Sequence, residues 1–230
     1  MQTSRAVICF LATSSFFVRS TSGQQRNVAS LTTPSSSIEK ISTMPDPKAK
    51  LKIAVAVYAF KDLDRSVVFS AEKVTTEIFK ESHVEVEWLT CPDTPFCDQP
   101  SESLQFRVAI HWQIGDIVKD SAQVKLMSDH DSLGFAIPCA VTDTTCLAYV
   151  FYSPIRGLAL TEGTNVAVIL GHVMAHEIGH ALLGPNPHSP TGIMRARLPI
   201  ADLERFLYFT SQQSKSVVAE LAARYEQQHK

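Results

Sequence analysis

Two rhythms of apolar residues run through the chain from Leu51 onward. "LKIAVAVYAF" (Leu51 to Phe60) is dense in β-branched and aromatic residues and predicts a buried strand. Between Leu63 and His83, the positions Val67, Val68, Ala71, Val74, Ile78 and Phe79 recur at spacings of three and four. That spacing lines one face of an amphipathic helix. "VEVEWLT" (Val84 to Thr90) alternates as a second strand, and "SLQFRVAIHW" (Ser103 to Trp112) reads as a third. A polar stretch from Lys119 to Asp131 follows. "LGFAIP" and "LAYVFYSP" then give two short strands, with Cys139 and Cys146 in the loop between them. A helix is expected from about Thr164 to Leu183. A last helix is expected from near Pro199 through "ADLERFLYF" toward the C-terminus. The order β-α-β-β-β-β-α-loop-α predicts an α+β fold. A helix packs on a twisted, mixed sheet, and a second, chemistry-bearing helix and a C-terminal helix follow.

The first 50 residues do not share these rhythms. Arg5 precedes the apolar run Ala6 to Val18, and small residues follow at Ser20, Thr21, Ser22 and Gly23. A short positive region, an apolar run too short to span a bilayer and a small-residue site predict a signal peptide over residues 1–23. Residues 24–50 are rich in Ser, Thr and Pro without apolar periodicity, which predicts a flexible linker or short propeptide. The folded domain is therefore expected over residues 51–230. No later segment is predicted to cross a membrane, since each long apolar run is broken by a charge, a Gly or a His.

Composition adds little beyond this. The 230 residues are 45% hydrophobic and 19% charged, ordinary for a globular core, and the formal charge of −2 gives no reason to expect a nucleic-acid partner. The cysteines support export, to the periplasm or beyond the cell. Of five, Cys9 lies in the predicted signal. Two close pairs remain, Cys91 with Cys97 and Cys139 with Cys146. Four cysteines in an exported chain predict two disulfides. The two local pairings are favoured among the three arrangements, and neither pair has the C-x2-C spacing usual for zinc.

The chemistry concentrates in "HEIGHALLGPNPHS", His176 to Ser189. On a helix, His176 and His180 lie on one face, with Cβ atoms about 5–6 Å apart. Two imidazoles so placed can converge on one zinc ion. Glu177 points roughly 100° round the helix from His176. It is poorly placed as a co-ligand but can act as general base on a water at the metal. H-E-x-x-H alone is a weak pattern. Here it sits in "TNVAVILGHVMA", apolar nearly all round, and burying two His and a Glu without partners would be costly. Gly171 and Gly179 each cost about 1 kcal/mol in a helix interior, a cost that close packing near the site would explain. Gly184, followed by Pro185 and Pro187, ends the helix, with Gly184 expected in the left-handed conformation. His188 arrives after this turn. Thr191-Gly192 predicts a tight turn with Met194 behind it.

These residues resemble the metzincin zinc peptidases, in which two helical histidines, a turning glycine, a third histidine and a downstream methionine turn surround the metal. They are also similar to short exported bacterial zincin-like proteins carrying "HEIGH…GPN.HS…GIM" segments. The likeness covers about residues 171 to 195. It implies a zincin-like fold, Zn2+ as cofactor, His176, His180 and His188 as ligands and Glu177 as general base. It likewise implies Gly184 as the turning glycine and Met194 as the turn methionine, with a peptide or protein as substrate. The chain departs from the family in having seven residues, not five, between the second and third histidines. Two extra loop residues cost little closure entropy, so His188 can still return to the metal. Its rival is Glu204, on the expected last helix, because another zincin branch uses a glutamate there.

Other polar residues carry weaker signals. His172 and Tyr208 are candidates to support the site or hydrogen-bond substrate, with a structural histidine an equal reading of His172. Asp129-His130-Asp131 reads as a solvated loop, and the charges of "ADLERF" and "MRAR" read as helix surface. Two alternatives to a peptidase remain at this point: a non-catalytic zinc module, and a zinc amidohydrolase acting on non-peptide amides. Three good ligands without an evident fourth favour catalysis, since structural zinc is normally closed by four.

Overall fold

The computed structural model describes residues 51–89, 103–117, 132–140, 143–184, 187–199, 203 and 207–228. The predicted signal and linker, Asp129 to Asp131 and Glu204 lie outside them. So do Cys91 and Cys97, and with them the first of the two expected disulfides.

Five strands form one mixed sheet: β1 (Leu51–Ala59), β2 (Val84–Leu89), β3 (Leu104–His111), β4 (Gly134–Ile137) and β5 (Thr145–Phe151). Their order across the sheet is β2-β1-β3-β5-β4. β1 runs parallel to both β2 and β3, with Ile53 opposite Val86 on one side and Leu104 on the other. β5 runs parallel to β3, and β4 closes one edge antiparallel to β5. Parallel neighbours need a crossover, and α1 (Arg65–Lys80) supplies the one from β1 to β2. It begins at Asp64, whose Oδ1 accepts the Ser66 N–H at 2.8 Å. The predicted stripe is its inner face: Ala71, Val74, Ile78 and Phe79 are buried.

The motif helix, α3 (Val166–Leu183), is buried along almost its whole length, as its all-round apolar pattern predicts. Its 18 residues, at mean hydropathy 1.5, are long and apolar enough to cross a membrane by length and composition, yet most of them are packed inside this domain. α1 packs along α3 while touching β2, and α3 touches β4 and β5. The two helices therefore share one face of the sheet. A Cβ at Gly171 would stand 2.6 Å from Ala71 O and from Val74 Cβ, so the contact with α1 requires this glycine. Thr75 closes the seam by donating to Gly171 O at 3.0 Å.

Two elements differ from expectation. "LAYVFYSP" does not end as strand: Phe151 passes directly into α2 (Tyr152–Glu162), which stops at Gly163 with φ 64°. Pro154 falls in the first turn of α2, where a missing N–H costs nothing. The last helix, α4, starts at Ser211 rather than near Pro199 and runs to Gln228. Leu207 to Thr210 are not helical, because their backbone is engaged elsewhere: Leu207 N–H donates to His172 Nε2 and Tyr208 O accepts the Ile193 N–H. Thr210 then caps α4 in a reciprocal pair. Its Oγ1 accepts the Gln213 N–H, and Gln213 Oε1 accepts the Thr210 N–H.

The second expected disulfide, between Cys139 and Cys146, is formed. Its loop is tied down on both sides. Cys139 N–H donates to Ala181 O at the end of α3, and the buried Arg224 of α4 donates to the carbonyls of Cys139 and Ala140, each at 2.8 Å.

Candidate metal centre and catalytic cleft

The helical spacing does what it predicts. His176 Nε2 and His180 Nε2 lie 3.0 Å apart, and His188 Nε2 lies 3.1 Å from His180 Nε2. Two nitrogens on one tetrahedral zinc, each at about 2.0–2.1 Å, would stand about 3.3 Å apart, so the spacing fits one shared ion. No arrangement of protons satisfies the trio equally well. The His176 Nδ1–H donates to Ile193 O at 2.7 Å, which leaves a lone pair on Nε2. A single hydrogen on His180 Nε2 could serve one neighbour but not both. Burial holds His176 below its ordinary pKa, the Ile193 carbonyl working the other way. Burial, then His176 and His188, push His180 down to about 3. Neutral imidazoles are the form that binds metal. His188 reaches the pair although two more residues intervene than in the family pattern. Gly184 makes the turn, with φ 76° and ψ −162°, a glycine conformation but not the expected left-handed helical one.

Glu177 projects from the same helix toward β4. It is 5% exposed, and burial pushes its carboxyl up to about 8. Its Oε2 has no hydrogen-bond partner among the described residues. A buried carboxyl oxygen without a partner is costly; a bound water beside it would remove that cost, and a cation held by the histidines would bring its pKa back down. Gly134 makes room for it: a Cβ there would stand 2.9 Å from Glu177 Cγ and 2.6 Å from Tyr149 O. The three histidines and Glu177 line a cleft of about 780 Å³, with β4 along one wall and Leu158 of α2 on another. The three imidazoles are the group able to hold a metal ion that is found among the described residues.

Behind the imidazoles, the chain folds as the turn residues predict. Gly192 has φ 76°, and Ser189 N–H donates to Met194 O at 2.9 Å, closing a loop. Met194 is fully buried under α3. A Cβ at Gly179 would stand 2.6 Å from its Sδ, which accounts for that second helical glycine. The loop that includes Ile193 thus holds His176 from below. Both ring nitrogens of His172 are engaged by the backbone. It is fully buried, with Nδ1–H donating to Val168 O at 2.8 Å and Nε2 accepting the Leu207 N–H. Neither His172 nor Tyr208 lines the cleft.

Gln213 is a residue of the site that carries no functional signal in the sequence. Its side-chain amide donates to Pro187 O at 3.2 Å and to Ser189 Oγ at 2.9 Å, gripping the chain on both sides of His188. The capping pattern Thr210-x-x-Gln213 was a local signal for the helix start, but nothing local says that the same glutamine reaches the histidine loop. Arg195 and Arg197, read as helix surface, instead line the cleft.

Two solved structures are similar to this chain. One is archaemetzincin from Methanopyrus kandleri, at 13% identity and a TM-score of 0.42, covering 77% of this chain and 99% of that one. The other is a zinc-dependent peptidase from Methanocorpusculum labreanum, at 13% identity and a TM-score of 0.43, covering 72% of this chain and 99% of that one. No protein family's sequence profile and no curated relative matches the chain.

Proposed function

We propose that the protein is an exported, zincin-like zinc metallopeptidase with His176, His180 and His188 as ligands and Glu177 as general base. The observation that carries this reading is the convergence of three imidazole nitrogens beside a buried carboxylate with an unpartnered oxygen, in the wall of a cleft. A zinc ion held by His176, His180 and His188 would supply Lewis acidity, polarising a carbonyl and easing deprotonation of water. The protein's own groups do the rest. Ile193 O fixes the His176 tautomer, Met194 supports the helix at Gly179, and Gly184 turns the chain so that His188 returns. Glu177 takes the proton of the attacking water and returns it to the departing amine. β4 is the sheet's outer strand beside the cleft, so an extended peptide can lie along it. A three-histidine set facing a cleft leaves a coordination position for substrate, which supports catalysis over a closed structural site. Export rests on the apolar N-terminal run and is supported by the Cys139–Cys146 disulfide.

The test is zinc content and peptide-library cleavage by the secreted protein, with its intact mass. Stoichiometric zinc, cleavage and a chain starting near Gln24 are expected. A protein that binds zinc yet cuts nothing, even when shortened to begin at Leu51, refutes the peptidase reading.

A further inference from the structure

Two cations in the cleft wall have no partner among the described residues. Arg195 directly follows the buried Met194, so its backbone is anchored beside the histidine loop; its side chain is half-buried. Arg197, two residues on, is exposed. Both line the cleft with His180 and His188. Neither makes a hydrogen bond or ion pair among the described residues. Other basic side chains do: Lys52 pairs with Glu87 at 2.9 Å, Lys80 with Glu77 at 3.1 Å, and Arg224 with Glu220 at 2.7 Å. The chain is not short of acids, with 23 Asp and Glu against 21 Lys and Arg. Yet among the described residues the acidic side chain lining the cleft is Glu177 alone, turned toward β4. A guanidinium keeps its charge at any physiological pH. Among the described residues the cleft lining is therefore net positive, on a chain of net charge −2, before any divalent ion adds to it. Like charges that line one cleft repel each other, and an anion bound between them relieves the repulsion. Arginine's planar fork matches a carboxylate with two parallel hydrogen bonds.

We propose that Arg195 and Arg197 form a carboxylate-binding subsite, and that the peptides this cleft takes carry a carboxylate near the bond presented to the histidines. The proposal rests on the metallopeptidase reading for the word peptide, and on the cleft's charges for the rest. The carboxylate can be an Asp or Glu side chain or a free C-terminus, and the two are separable by experiment.

The test measures fluorescence anisotropy of labelled peptides on the zinc-loaded Glu177→Gln protein, so that binding is read without turnover. Peptides differ only in Glu against Gln at one position, each with a free or an amidated C-terminus. Tighter binding of the carboxylate-bearing peptide by about ten- to hundred-fold is expected, the range for a charge-assisted hydrogen bond in a partly buried site. Salt should weaken it. Arg195→Ala with Arg197→Ala should abolish the preference while zinc content stays unchanged. Arg195→Glu with Arg197→Glu should turn it toward a Lys peptide. Preference lost on amidation assigns the C-terminus; preference kept assigns the side chain. Equal binding of all four peptides, no binding of any, or a preference that survives the double alanine variant overturns the proposal. Failure of the parent reading looks different: wild-type protein that cuts nothing while the Glu177→Gln protein still selects carboxylates leaves the subsite standing. Cleavage without charge preference does the reverse.

Discussion

Replacing Gln213 with leucine should release the third histidine as well as loosen the fold. Gln213 is 8% exposed, and its amide makes three hydrogen bonds: to Pro187 O at 3.2 Å, to Ser189 Oγ at 2.9 Å, and from Thr210 N–H at 3.0 Å. Leucine fills similar space and makes none. A neutral hydrogen bond is worth about 0.5–1.5 kcal/mol net. Part of the helix cap survives, because Thr210 Oγ1 still accepts the residue 213 N–H. The metal-free protein should therefore lose about 2–3 kcal/mol, a melting shift of roughly 4–12 °C for a domain of this size. Zinc affinity should fall as well, because the two lost hydrogen bonds hold the residues on either side of His188, whose ring must stay within reach of His176 and His180. Groups that orient metal ligands typically contribute 10- to 100-fold in affinity. The assay is competition with a chromophoric chelator, alongside the visible spectrum of the cobalt-substituted protein, which reports coordination number. Gln213→Glu is the companion: it keeps an acceptor for Thr210 N–H but offers no amide to Pro187 or Ser189. It should hold the helix start while still losing metal affinity. The reasoning is refuted if either variant melts lower yet binds zinc within two-fold of wild type with an unchanged cobalt spectrum.

Three further outcomes are expected. Glu177→Gln keeps zinc and loses about 10²–10⁴-fold in kcat, the usual contribution of a general base; release of the metal would make Glu177 a ligand instead. His188→Ala loses zinc and Glu204→Ala keeps it by metal titration, the reverse result transferring the third position to Glu204. Gly134→Ala places a methyl 2.6 Å from Tyr149 O and against Glu177, so it should cost about 1–3 kcal/mol and depress kcat. A variant as stable and active as wild type would show that β4 moves freely there.

Much of this protein is written locally. The strand runs, the inner face of α1, the all-round burial of α3 and the convergence of His176 with His180 follow from periodicities of two and 3.6, which involve only neighbours along the chain. The turn at Gly192 follows in the same way. Other features needed the third dimension. The sheet order β2-β1-β3-β5-β4 depends on which edges find each other. α2 was hidden because β5 runs into it without a loop. Leu207 to Thr210 carry an apolar pattern that suits a helix, yet their backbone bonds to Ile193 and His172 hold them out of one. His172 sits at motif spacing but is claimed by a backbone amide 35 residues away. Gln213 reaches Ser189 across 24 residues, and Arg195 and Arg197 line the cleft on a segment whose Met194 packs against Gly179. Periodicity decides which face a side chain occupies on its own element, whereas what stands opposite that face is decided when the elements pack.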